Sequence, residues 1–302
     1  MHDRDLNNLP HEKKVAVISA LCEGNSIRAT SRMTGVAKGT ILPLLEKVGR
    51  ACAEFHDRTV RNVKSKCVQR DELWSFCNAK QINVPQEKRG EFGHGDVWTW
   101  LAMDADTKLT ISYLVGTRDA GSAHAVMQDL VGRLSNRVQL TTDGHKGYLE
   151  AVEDAFGSEI DYATLVKIYG KPQDETQPET RHSPPACIGA QATTIMGKPN
   201  PKFISTSYVE RQNLTVRMQM RRFTRSTNGF SKEVDKLRHA VALYAVHYNF
   251  CRTHQTLRVT PAMEAGLSNH VWTVAEILRL VAGQVSSAAW IQIDPLPEKA
   301  FP

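Results

Sequence analysis

Residues 138–168 read VQLTTDGHKGYLEAVEDAFGSEIDYATLVKI, and their periodicity changes twice within thirty-one residues. Val138–Thr142 is a compact, β-branched run closed by Asp143-Gly144, a dipeptide suited to a tight turn. Lys146–Phe156 has helical spacing, and Ile160–Ile168 returns to a strand pattern rich in Ile, Tyr, Thr and Val. Strand, helix and strand in this order point to an α/β sheet.

Working outward, the upstream chain supplies three more strand-like runs. Asp71–Asn78, Val97–Asp104 and Leu109–Gly116 are short, rich in aromatic and β-branched residues, and bounded by turn residues. Asp104–Lys108 is the expected turn between the second and third, and Gly121–Leu134 reads as a helix. Downstream, Lys171–Ser205 holds six of the thirteen prolines with no clear period, so a long loop or insertion is expected. Two long helices, Ser207–Asn228 and Ser231–Cys251, and a shorter one, His270–Val281, complete the pattern. The order of three strands, helix, strand, helix, strand, helix is that of a ribonuclease-H-like core. It is a mixed five-stranded sheet with flanking helices, although order alone leaves other α/β arrangements open.

The first sixty residues differ in character. His11–Leu21 places Val15, Ile18 and Leu21 on one face, and Ser26 is the expected N-cap of a second helix over Ile27–Met33. Thr34-Gly35-Val36 makes a turn into a third helix, from about Lys38 to His56, with Ile41, Leu44, Leu45 and Val48 aligned. This is a helix-turn-helix outline, shared with small bundles that bind no DNA. Pro43 fits badly inside that third helix, which implies a start nearer Thr40 or a kink.

Charge sharpens the reading. The 302 residues carry a net charge of +6. Residues 1–70 hold 13 Lys and Arg against 7 Asp and Glu, and residues 205–260 hold 10 against 3. Two basic blocks around a more acidic middle suggest two surfaces for a polyanion, the alternative being two solvated helical regions. No apolar run approaches the length of a membrane span, and the polar start resembles neither a secretory signal nor a transit peptide. The six cysteines form no CxxC pair, so neither zinc nor a disulfide scaffold is expected and a reducing compartment is.

Three carboxylates stand where chemistry could use them. Asp71 opens the first strand, and Asp143 closes the fourth, which neighbours the first in a ribonuclease-H-like sheet. Glu210 lies near the start of a helix, on a stripe with Asn213, Arg217, Arg221, Thr224 and Asn228, while Val209, Val216, Met220 and Phe223 form a separate apolar stripe. Taken singly, each has a plain alternative as a strand-edge charge, a turn former or a dipole-favoured helix acid. Taken together, hard oxygen ligands on rigid elements suit two magnesium ions acting on a phosphodiester. Strand alternation points Glu72 to the face opposite Asp71, and Asp104 reads as a turn residue.

DELWSF (71–76), TTDGHKGYLEAVEDAFG (141–157), STSYVERQNLTVRMQMRRFTR (205–225) and HYNFCRTHQTLRVTPAMEAG (247–266) resemble insertion-sequence transposases of the DDE type, most of all the insertion-sequence-one kind. The resemblance runs from the N-terminal helices to about Val281. It implies a helix-turn-helix DNA-binding domain over 1–57, a basic linker over 58–70, a ribonuclease-H-like catalytic domain over 71–260 with the insertion at 171–205, and a C-terminal helical tail over 261–302. It also implies a catalytic and metal-binding triad of Asp71, Asp143 and Glu210 using Mg2+, with Mn2+ able to substitute. Some relatives carry a cysteine-paired zinc module at the N-terminus, whose cysteines this chain lacks, so no zinc is expected. The partner implied is double-stranded DNA, terminal inverted repeats and target alike, bound by a homo-oligomer in the bacterial cytoplasm, with no membrane partner. Expected DNA contacts are Arg28, Arg32, Lys38, Thr40 and Lys47 in the N-terminal helices, His145 and Lys146 after Asp143, and Asn213, Arg217 and Arg221 beside Glu210. The activity implied is cleavage and strand transfer at the ends of a mobile element. The competing readings are a catalytically silent DNA-binding relative and a structure-specific nuclease of the same fold.

Overall fold

A computed structural model of the chain describes residues 9–170, 187–225 and 227–283. It opens with three helices, α1 (His11–Cys22), α2 (Ile27–Thr34) and α3 (Lys38–Thr59). Ser26 caps α2 by accepting a 3.0 Å bond from the Ala29 amide, and Gly35 ends it in the left-handed conformation. Pro43 does not delay α3, which begins at Lys38 and runs on through it. Lying in the second turn, Pro43 forfeits one backbone bond, and its ring is exposed rather than packed.

β1 (Cys67–Cys77), β2 (Gly95–Asp104) and β3 (Thr110–Gly116) form an antiparallel meander. After α4 (Ala120–Val131), β4 (Val138–Thr142) pairs parallel with β1, and after α5 (Gly147–Phe156), β5 (Ile160–Tyr169) pairs parallel with β4. The order β3-β2-β1-β4-β5 is the ribonuclease-H-like arrangement. The sheet nevertheless has six strands, not five, because β6 (Cys187–Met196) adds antiparallel to β5. β6 lies inside the stretch read as a loop over 171–205, whose residues 171–186 fall outside the described residues. It buries neither face, so no hydrophobic alternation announces it, and pairing with β5 alone makes it a strand.

α6 (Ser207–Gln219) also departs from expectation. The expected single helix to Asn228 stops at Gln219, Met220 turns extended, and Arg221–Phe223 make a 3-10 turn. The apolar stripe survives, with Val209, Val216, Met220 and Phe223 all buried. Periodicity was satisfied either way, so it could not reveal the break. α7 (Val234–Val246) runs into a π-helical turn over His247–Cys251, and α8 (Pro261–Glu264) and α9 (Val274–Leu280) follow. α9 starts at a Thr273/Glu276 capping box, four residues later than read. Of the expected 261–302 tail, residues 284–302 lie outside the described ones. Among the described residues no helix is long and apolar enough to cross a membrane.

The N-terminal helices share one apolar core with the sheet and α7. α3 packs along α7 so closely that a Cβ at Gly49 would sit 2.5 Å from His239. Phe55 of α3 joins Phe250 and Trp272 in an aromatic cluster with centroids 4.9–5.1 Å apart. Between α3 and β1, Val60 and Val63 are buried, and β1 already includes the last four residues of the expected 58–70 linker.

Candidate active site: carboxylates at the open end of the sheet

Two strand registers bring the first acids together. β1 and β4 pair in parallel up to Gln69 and Thr141, and two more residues along each chain reach Asp71 and Asp143. β4 has ended by then, so β1 continues with an open edge at Asp71 and Glu72. Carboxylate oxygens of Asp71, Glu72 and Asp143 all lie within 4.8 Å of one another.

Glu72 therefore departs from the expectation that it points away. Alternation does separate the two side chains. Asp71 accepts a 2.8 Å bond from Asn213 of α6, whereas Glu72 accepts from the Tyr148 hydroxyl of α5. With no neighbouring strand between them, both carboxylates reach round the same edge. Glu72 is deeply buried, and Arg118 reaches it at 3.3 Å and Asp143 at 3.7 Å. Sequence reasoning missed Arg118 and Tyr148; the signals available were a cation directly after β3 and a Tyr one helical turn after Asp143-Gly144.

Glu210 is set by a different route. The Gln69 side-chain oxygen, on the same strand face as Asp71, accepts from the amides of Tyr208 (2.8 Å) and Val209 (3.2 Å), fixing the first turn of α6. Glu210 follows in that turn, accepts a 2.7 Å bond from the Thr206 hydroxyl and is ion-paired with Lys167 of β5. Lys167 was not foreseen either. Glu210 is thus on the Asp71 side of the sheet and close enough for its charge to act on Asp71, but stands outside the tight trio.

The electrostatics follow from burial and crowding. Removal from water, with the charges of Glu72, Asp143 and Glu210 adding to it, pushes the Asp71 carboxyl up to about 7, against the opposing amide bond of Glu72. Glu72 is raised by burial and by Asp143, opposed by Tyr148, Arg118 and His145. Beside it Arg70 is fully buried, its guanidinium 5.9 Å from the Trp100 ring centre, and burial lowers its pKa. The Asn213 side-chain oxygen is buried without a hydrogen-bond partner. Clustered hard oxygens, a carboxyl raised by burial and by its acidic neighbours, and an idle amide oxygen fit a divalent cation of the magnesium class.

The remaining expected residues spread over three places. The His145 amide donates to Asp143 at 3.1 Å and its ring lies edge-on to Trp100 and Tyr148, while Lys146 is exposed. Asn213 is buried and spent on Asp71, and Arg217, half-buried on α6, feels the Asp71 charge. Arg221 leaves the Glu210 stripe because α6 ends before it. Arg28, Arg32, Lys38 and Lys47 are exposed and Thr40 is half-buried. Arg28 and Lys38 line a cleft of about 790 Å³ whose opposite wall carries Arg221, Arg222, Lys232 and Lys236. Part of each basic block thus meets the other across one cleft.

No family model and no curated protein matches the chain. Among solved structures it is similar to the piggyBac transposase synaptic complex with hairpin DNA, at 9% identity and TM-score 0.43, covering 92% of this chain and 73% of that one. It is also similar to the Mos1 mariner paired end complex with Mn (12%, 0.21, covering 52% and 58%) and the Mos1 strand transfer complex (12%, 0.23, covering 80% and 78%). At such values likeness of shape does not carry activity across, and what the site can do follows from its own groups.

Proposed function

We propose that the chain is a DDE-type transposase of the insertion-sequence-one kind, cutting and rejoining DNA at the ends of a mobile element. The observation that carries this reading is the convergence of Asp71 and Asp143 at the open sheet end, with Glu210 brought alongside by a helix that Gln69 and Asn213 tie to the same strand. Asp71, Asp143 and Glu210 would hold Mg2+ or Mn2+, and Glu72, whose carboxylate crowds the two aspartates, would orient them through Tyr148 and Arg118. Such ions, when bound, activate the attacking oxygen and neutralise charge building on the phosphate. Arg118, part-exposed at the mouth of the site, is placed to meet a phosphate oxygen, and Lys167 would be free to do so if Glu210 were held by a cation. Arg28 and Lys38 across the cleft from Arg221 would grip the DNA backbone, with Lys47 on the exposed face of α3.

The test incubates the full chain with supercoiled plasmid carrying the element's ends, in EDTA, Mg2+ or Mn2+. Metal-dependent nicking followed by joined products is expected. Asp71→Asn, Asp143→Asn and Glu210→Gln should each reduce both to background while leaving DNA binding intact, with no further loss on combination. Cleavage without joining would assign a nuclease, and binding without cleavage a silent relative.

A further inference from the structure

Beyond its carboxylates, β1 carries a run of aromatic rings that the cleavage chemistry does not use. Trp74 and Phe76 follow Glu72 on the same strand face, with centroids 5.7 Å apart. The segment Phe230–Lys232 comes alongside where β4 has ended, bridging Cys77 to Ser231, and lays Phe230 4.7 Å from Phe76. The Lys232 ammonium sits 4.3 Å from the Phe230 ring centre. Trp98, level with Trp74 on β2, lies beneath Arg118 at 4.6 Å, the same arginine that reaches Glu72 and Asp143. All four rings are only partly buried.

Trp74, Phe76 and Phe230 face a recess of about 720 Å³ whose rim carries Lys80, Arg222 and Arg225. Among the described residues no acid lines it, in a chain where Asp and Glu number 32. Half-covered ring faces with cations around them suit a flat, electron-rich ring on an anionic backbone. A base inside a duplex is already stacked on both sides and could not enter, so the ligand must be unpaired. Glu72 and Trp74 are two residues apart, about 7 Å along the strand, roughly one nucleotide from the carboxylates.

We propose that this recess is a stacking site for an unpaired nucleotide of the DNA strand leaving the carboxylate site, with Trp74, Phe76 and Phe230 holding the base and Lys80 and Arg225 its phosphates. The proposal rests on the reading of the carboxylates as a DNA site, but its test needs no cleavage. In EDTA, the full chain is titrated with a random-sequence duplex bearing a three-nucleotide 3′ overhang containing 2-aminopurine, and with the same duplex blunt-ended.

The overhang should bind more tightly than the blunt duplex, and its 2-aminopurine emission should be quenched. Phe230→Leu keeps apolar bulk but removes the ring. It should weaken overhang binding by about 5- to 150-fold, relieve the quenching and affect blunt-duplex binding much less, since Phe230 brings only an uncharged ring to the neighbouring cleft. If thermal melts show that this variant unfolds early, Arg225→Gln on the rim serves instead, with a smaller loss confined to the overhang. Equal affinity of the unmodified chain for both DNAs with no quenching, or equal loss on both in the variants, overturns the stacking site. Absence of binding to either DNA would instead bring down the DNA reading as a whole.

Discussion

The α3–α7 contact and the carboxylate site lie in the same molecule and obey opposite rules. Along α3, apolar residues meet apolar residues, Gly49 admits the α7 backbone at close range, and Phe55, Phe250 and Trp272 fill the end of the contact. At the sheet end three carboxylates crowd within 4.8 Å, one is held protonated up to about neutrality, and a buried amide oxygen has no partner. The first region is built for stability, whereas the second gives stability up in a form that a bound cation would return. Substitutions should therefore separate the two regions by sign as well as by size.

The largest effect should come from the packed side. Phe250 is fully buried and packs against Phe55 of α3 and Trp272 just before α9. Phe250→Ala should cost about 3–5 kcal/mol through lost burial and a residual cavity. Because the N-terminal helices share their core with the sheet, the whole chain should melt earlier in one transition, by calorimetry or circular dichroism. A separate early transition of the helices, with the sheet unaffected, would show that the contact is a docking of independent domains.

Next in size is Glu72, where the sequence reading expected a bystander. Glu72→Ala leaves Arg118 and the Tyr148 hydroxyl without their shared acceptor and frees the other acids to move. The expected loss is about 10–100-fold in metal affinity or cleavage, as for residues that orient ligands. Isothermal titration with Mn2+ reads this directly. Wild-type affinity and cleavage would restore the bystander.

These outcomes bear on what a sequence alone can reveal here. The succession of the first five strands and the Ser26 cap were legible from local periodicity, and the side-by-side placement of Asp71 and Asp143 followed from the ribonuclease-H-like order that this succession suggests. β6 was not, since it is held by its partner strand and not by a buried face. The break at Met220 was not, since helix and turn bury the same apolar residues. The approach of Glu72 to the two aspartates was not legible, because alternation says which face a side chain leaves from but not where the neighbouring strand stops. Arg118, Tyr148 and Lys167 come from three separate elements, and only the folded chain brings them to the acids.

The smallest effect concerns Asp71 and pH. Its carboxyl titrates near 7 in the fold against 3.8 as the ordinary value, so between these the folded chain holds a proton that the unfolded chain has released. Its contribution to the stability of the metal-free protein must then fall as pH rises from about 4 to about 7, and level off above. The full shift would correspond to about 4 kcal/mol, and relaxation of the site reduces the expected effect to about 1–2 kcal/mol. Asp71→Asn removes that titration, and the introduced amide can donate to the idle Asn213 oxygen if Asn213 turns its side chain over. The variant should therefore be more stable than wild type in EDTA at pH 8, with the advantage shrinking towards pH 5. His56, buried and lowered to about 4, contributes with the opposite sign, stability rising with pH up to about 6.5, but it is common to both proteins and cancels in the difference. Paired melts at pH 5, 6, 7 and 8 read that difference directly. Adding Mn2+ at pH 8 should close the gap by stabilising wild type alone, whereas a difference flat across pH would mean that Asp71 is ionised throughout and the site carries no such strain.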